Sequence, residues 1–217
     1  MISLNDFQLI DEEEIEDIMK EDMSDALDHG IVVSNLAFLL SNELGMEEDY
    51  CYNMAIGGML HDIGKLKLSK YLYGRKKDSL RIEEMKYVRM HSTFSYNILK
   101  KQGYSEDILQ AIYHHHENYD GSGYPDNLKG TSIPKGARIL RTCDVFAALI
   151  SSRPYRKAFD TRIAMELMID EVKNFDMEIF LAFQRVIHSE AFDKVQIFTQ
   201  NANKKALDKT KINYYNQ

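Results

Sequence analysis

A chain of 217 residues, 44% of them hydrophobic, carries enough apolar surface for one large core or two small ones, and one core is the simpler reading. Its formal net charge of −7, from 34 acids against 27 bases, excludes general attraction to a DNA or RNA polymer, so an anionic ligand must be held by local cations or metal. Two cysteines, Cys51 and Cys143, exclude a disulfide scaffold and fit a reducing cytoplasm; no apolar run approaches the ~18 residues of a membrane span, and the acidic N-terminal stretch has no signal-peptide pattern.

Helical periodicity dominates. Ala26, Val33, Leu36, Ala37 and Leu40 recur at three- and four-residue steps, the stripe of an amphipathic helix over 25–40, and Asp25 and His29 lie four apart on it. A break at Leu44-Gly45-Met46 leads to a second helix, 50–60, which runs into His61-Asp62-Ile63-Gly64-Lys65. Adjacent residues on a regular helix point about 100° apart, so His61 and Asp62 face one point only where the helix ends, and Gly64 tolerates a left-handed turn there. Residues 65–79 read as a loop with short helical pieces, and Ser79-Leu80-Arg81-Ile82-Glu83 as the start of a helix through His91 to Lys100. A short helix, 106–114, follows Gly103. The glycine-rich Asp120-Gly121-Ser122-Gly123-Tyr124-Pro125 is a turn, and Gly130, Pro134 and Gly136 bound another loop. Residues 137–150 form an apolar helix interrupted by Arg141 and Asp144 and ended by Pro154. Two amphipathic helices fit 161–173 and 177–187, and the polar tail from Asn201 reads as a frayed helix or a disordered end. Nothing alternates with the period of a strand, so the fold class is all-α.

Six of the seven histidines precede residue 117. Any one alone is more often a surface or hydrogen-bonded core imidazole than a ligand. Together, a bent core of three or four helices can bring His29, His61, Asp62, His91, His115, His116 and Asp144 to one cavity, where neutral imidazoles and bridging carboxylates suit borderline divalent metals. Asp144 sits among Ile139, Leu140, Cys143, Val145 and Phe146, so its carboxylate needs a cation: a metal, or a base such as Arg141. Lys65, within a turn of Asp62, is placed to neutralise an anionic substrate. Tyr124 beside Pro125 offers a flat face for a purine or simply completes a tight turn, and Arg153-Pro154-Tyr155-Arg156-Lys157 is a phosphate-binding cluster or a solvated basic turn.

The set His61-Asp62-Ile63-Gly64-Lys65, His115-His116-Glu117-Asn118-Tyr119-Asp120-Gly121-Ser122-Gly123-Tyr124-Pro125, and Asp144-Val145-Phe146 with Arg153-Pro154-Tyr155-Arg156 resembles the HD-GYP family, a branch of the HD metal-dependent phosphohydrolases, over residues 22–190. The resemblance implies an HD-domain helical bundle with additional C-terminal helices, an acidic extension over 1–21, and a C-terminal helix or tail over 191–217. It implies hydrolysis of cyclic di-GMP to the linear dinucleotide or GMP, with two or three divalent ions, iron or alternatively manganese. His29, His61, Asp62, His91, His115, His116 and Asp144 match the family's ligands, with Asp62 the bridge; Lys65 matches the motif lysine, and Tyr124, Arg153 and Arg156 match positions that contact the dinucleotide. His114 and His188 fall outside the pattern.

Three positions depart from the family. Asp25 stands where members with three metals have Glu, Ala147 where an Asp is common, and the Arg usual near the first histidine is absent from Gly30-Ile31-Val32-Val33. These departures keep alive a catalytically weak receptor that signals through protein contacts, and a phosphohydrolase acting on another nucleotide is the enzymatic alternative. An extension of about 20 residues is too short for a sensory or receiver domain, so regulation is expected from a separate protein or from expression level.

Overall fold

The computed structural model describes residues 12–68, 88–152 and 156–215, with side chains described over 24–68, 88–152 and 156–205. Among these residues the fold is all-α: α1 (Glu12–Glu43), α2 (Glu48–Leu60), α3 (His91–Lys101), α4 (Glu106–Tyr113), α5 (Lys135–Ile150), α6 (Thr161–Asp170), α7 (Met177–Ile187) and α8 (Glu190–Tyr215). No described helix is long and apolar enough to cross a membrane.

The α1 stripe packs Val32, Val33, Leu36, Ala37 and Leu40 into the core, all at or below 2% exposure, while Ala26 is exposed: the stripe starts at His29, later than the periodicity predicts. The most extensive helix pairing is α1 with α2, and it is close because of glycine. A Cβ on Gly58 would lie 2.9 Å from the Ser34 backbone, so only a residue without a side chain lets the two helices cross at backbone contact. That crossing brings His29, on α1, alongside His61, at the end of α2, with ring centroids 5.4 Å apart.

Helix α5 is the central element. Nine of its residues are buried, and Phe146 meets Phe183 of α7 edge-on at 5.0 Å and Phe192 of α8 at 6.0 Å. Truncating an aromatic so enclosed costs about 3–5 kcal/mol. Side-chain caps start the next two helices: Asp160 accepts the Ile163 N–H at 2.8 Å before α6, and Asp176 accepts the Glu178 N–H at 2.9 Å before α7. Asp176 also pairs with Arg138 of α5.

Three boundaries differ from the sequence reading. Helix α1 begins at Glu12, earlier than the periodicity over 25–40 predicts. The helix expected to run through His91 instead turns at residues 89–90, and α3 starts afresh at His91; the start expected at Ser79 lies outside the described residues. The tail is helical through Tyr215. Phe192 and Val195 are in the core, and Asn203 accepts the Ser152 N–H at 2.7 Å while donating to the Ile150 carbonyl at 2.8 Å, so polar residues of the tail are spent on the end of α5.

Candidate metal centre

Three helix ends and two helix faces deliver the cluster. His61 caps the C-terminus of α2, with Asp62 next in the turn. A 3₁₀ helix, Ile63–Leu68, follows, and its Gly64 lies so near α3 that a Cβ would be 2.1 Å from the His91 carbonyl and 2.6 Å from the Ser95 nitrogen. Gly64 has no left-handed φ; close approach to α3, and not the turn, is why glycine is needed here. Ser95 pins the contact, accepting the Gly64 N–H at 2.8 Å and donating to the His61 carbonyl at 2.7 Å. His91 begins α3, His115 and His116 follow the end of α4, and His29 and Asp144 project from α1 and α5.

Three imidazoles share one device. Nδ1 of His61 meets the Gly58 carbonyl at 2.8 Å, Nδ1 of His91 the Val88 carbonyl at 2.6 Å, and Nδ1 of His115 the Ile112 carbonyl at 2.6 Å. A carbonyl only accepts, so each Nδ1 carries a proton, and in the neutral ring each Nε2 is the nitrogen that keeps a lone pair. Those lone pairs converge. Nε2 of His91 is 3.3 Å from Nε2 of His115 and 3.0 Å from Nε2 of His116. Two acceptors at 3.3 Å with no proton between them repel, and a cation shared by them removes the repulsion. His61 Nε2, Asp62 Oδ1 and His29 Nδ1 are buried without hydrogen-bond partners. The residues therefore fit a metal: His91, His115 and His116 form one group of ligand atoms, His29, His61 and Asp62 a second, and His61, His115 and Asp144 a third that joins them.

The carboxylates sit between the imidazoles. Asp62 turns Oδ2 toward His61 Nε2 at 3.3 Å and Oδ1 toward His91 Nε2 at 3.3 Å, one oxygen to each side. Asp144 Oδ1 lies 3.0 Å from His29 Nε2 and 3.6 Å from His61 Nε2. Burial opposes charge on both acids, yet the facing histidines, with Lys65 on Asp62, hold both carboxyls well below the usual carboxylate range. Burial likewise opposes charge on His61, but Asp62 and Asp144 outweigh it and push that imidazole up to about 10. The opposite holds across the cluster. Burial drives His91 and His29 down, His115 well down, and His116 down to about 3.

Lys65 Nζ reaches Asp62 Oδ2 at 2.5 Å with its side chain 36% exposed, at the mouth of the cluster. Tyr124 is half-buried; its ring stacks on His116 at 4.8 Å and lies under the Arg89 guanidinium at 5.2 Å, so it braces the His116 imidazole. Asp25 lies outside the three ligand groups and lines a cavity of about 30 Å³ with Asp28, His29, Ser152 and Asn203. Arg156, expected on a phosphate, is turned to other use: it donates to the carbonyls of Ala148 at 2.8 Å, Leu149 at 3.1 Å and Lys157 at 2.9 Å, and stacks on Phe159 at 4.4 Å. The orphan carbonyls ending α5 attract the guanidinium more locally than any distant ligand. Arg153 lies outside the described residues. Ala147 is fully buried in the core.

Sequence reasoning missed the scaffold of the glycine-rich loop. Glu117, 1% exposed, accepts the N–H groups of Asp126 at 2.7 Å and Leu128 at 3.1 Å, and His114 Nε2 meets Asp126 Oδ2 at 3.1 Å. The first histidine of the run thus fastens the loop to α4 while the two that follow face the cluster. An acid directly after two ligand histidines and an Asp after Tyr124-Pro125 were the available signals.

Residues 1–179 match the family model described as HD domain. The chain belongs to the HD domain family. Among curated relatives of this HD domain, it is 36% identical over 137 residues to the cyclic di-GMP phosphodiesterase response regulator RpfG of Xanthomonas campestris pv. campestris, covering 61% of this chain and 35% of that protein. It is 33% identical over 154 residues to 3'3'-cGAMP-specific phosphodiesterase 1 of Vibrio cholerae, covering 70% of this chain and 36% of that one. The chain thus spans about a third of the length of the curated relatives it matches. In fold it is similar to Bd1817, an HDG"Y"P protein of Bdellovibrio bacteriovorus, with a TM-score of 0.62 at 19% identity over 82% of this chain and 58% of that one.

Proposed function

We propose that this HD domain is a metal-dependent phosphodiesterase that hydrolyses cyclic di-GMP. The observation that carries the reading is the convergence of imidazole lone pairs and two carboxylates on one buried point, in a chain whose relatives include cyclic dinucleotide phosphodiesterases. Two divalent cations, iron or alternatively manganese, would supply Lewis-acid activation of water and of the phosphoryl oxygens.

The chain's own residues do the rest. His29, His61 and Asp144 would hold one cation and His91, His115 and His116 the other, with Asp62 offering an oxygen to each. The carbonyls of Gly58, Val88 and Ile112 fix the ring orientation of three ligands and hold the Nδ1 proton, leaving Nε2 as the nitrogen turned to the cluster. Lys65, charged and at the mouth, would offset negative charge growing on the equatorial phosphoryl oxygens. Tyr124 would wall the substrate side, its ring already braced by His116. The proposed count is two cations because Asp25 lies apart from the ligand groups.

The similarity to a cGAMP-specific enzyme supports a second reading, in which another cyclic dinucleotide is the preferred substrate. Metal-loaded protein incubated with cyclic di-GMP, 3'3'-cGAMP and cyclic di-AMP, with products followed by chromatography, separates the two. Turnover of cyclic di-GMP to the linear dinucleotide or GMP is expected; turnover of the others alone rejects the substrate, and tight binding without any product favours a receptor. Location in the cytoplasm and control by a separate protein belong to the same proposal.

A further inference from the structure

Helix α5 carries a second charged side chain to the cluster. Arg141 lies one turn before Asp144 and is half-buried, and its Nε is sealed from solvent without a hydrogen-bond partner. Its charge is felt by Asp144, Tyr124 and His116, which places the guanidinium between the ligand cluster and the glycine-rich loop. Asp144 does not capture it. That carboxylate is engaged by His29 at 3.0 Å and faces His61 at 3.6 Å, and Arg141 forms no ion pair with any described acid. Arg156, one turn beyond the end of the same helix, satisfies its donors on backbone carbonyls; Arg141, inside the helix, has no such carbonyls to reach, because they are bonded within α5.

A buried guanidinium N–H without a partner is unfavourable, and an anion arriving at Arg141 relieves it. Its planar fork matches two oxygens of a phosphate, and Arg89, lying over the Tyr124 ring at 5.2 Å, adds a second guanidinium beside the same loop residue. Resting on the phosphodiesterase reading, we infer that Arg141 is a substrate-anchoring residue that holds non-bridging oxygens of a phosphodiester against the wall formed by Tyr124.

The test uses the full metal-loaded chain, with Arg141→Met and Arg141→Lys. Calorimetry with inorganic phosphate, KM and kcat for cyclic di-GMP and for bis(4-nitrophenyl) phosphate, and metal content per chain are measured together. Arg141→Met is expected to weaken phosphate binding and raise both KM values about 10- to 100-fold, the range for a charge-assisted hydrogen bond, with kcat changed less than about threefold and metal content unaltered. Arg141→Lys restores part of the affinity. Unchanged phosphate binding in Arg141→Met at full metal content overturns the assignment, as does a loss confined to cyclic di-GMP, which would mean contact with a base edge. Should neither variant fold, phenylglyoxal labelling of Arg141 in the wild-type protein decides: protection by phosphate supports the role, and labelling undiminished at saturating phosphate ends it. A wild-type protein that binds phosphate through Arg141 yet leaves cyclic di-GMP intact would reject the proposed substrate and leave Arg141 in place.

Discussion

Imidazoles on the two sides of the cluster are tuned in opposite directions by the presence or absence of a carboxylate beside them. On one, Asp62 and Asp144 surround His61 and raise its affinity for positive charge; on the other, His91, His115 and His116 crowd one another out of water, and burial keeps them neutral. His61 attracts any cation, a proton included, while burial keeps His29 beside it neutral. The three imidazoles opposite resist protons and present nitrogen lone pairs, a donor set that suits a borderline divalent metal. Asp62 is the one carboxylate with an oxygen on each side.

Removing Asp62 should therefore damage both sides. Asp62→Ala is expected to lower turnover of cyclic di-GMP by about 1000-fold or more, equivalent to about 4 kcal/mol, and to reduce metal content at both positions. Normal turnover with full metal would break the picture of a shared bridge. Next in size, single-side changes should separate the two. Asp144→Asn and His115→Ala are each expected to lose about one metal per chain, through different affinities, with activity falling about 100-fold; loss of both metals in either variant would show that the sides do not act separately.

A smaller effect should come from the packing that joins the sides. Gly64→Ala puts a methyl against the His91 carbonyl, and a destabilisation of about 1–3 kcal/mol is expected from overpacking, read as a lower denaturation midpoint. The smallest effect is in pH. In chelator-treated protein, unfolded imidazoles titrate near about 6.5. Folded His115 and His116 resist protonation, so the unfolded chain binds more protons below that value and Tm falls as pH drops from 7 to 5. Folded His61 keeps its proton up to about 10, so its contribution is full below about 6.5 and is lost as pH rises toward 10. A Tm maximum near neutrality, shifted by a few degrees on each side, is expected, and His61→Asn should flatten the alkaline limb alone. A monotonic profile would contradict the opposed tuning.

What the sequence showed of the site was the chemistry that few residue types perform. Histidines and an Asp in an apolar helix narrow the choices to metal or a buried ion pair, and the spacing around His61-Asp62 and Asp144 placed them at helix ends and faces that do meet. Arginines were harder to read. The same guanidinium is a phosphate anchor or a helix cap depending on whether open carbonyls lie within reach, and that is settled at Arg156 by residues 148 and 149 folding back toward it. Gly64 was noticed for the wrong property: glycine's freedom of φ is written in its type, whereas the neighbour that leaves no room for a Cβ comes from 27 residues away at His91. Of the two readings the polar tail from Asn201 allows, the helix is the one found, because Asn203 caps the end of α5, a tertiary contact that residue type alone does not announce.

The most direct test of the central claim is anaerobic metal analysis of freshly purified protein beside Asp62→Ala. About two equivalents of iron or manganese per wild-type chain, reduced at both positions in the variant, is the expected result. A wild-type chain that takes up no divalent metal on anaerobic reconstitution, while keeping its helical fold, would contradict it.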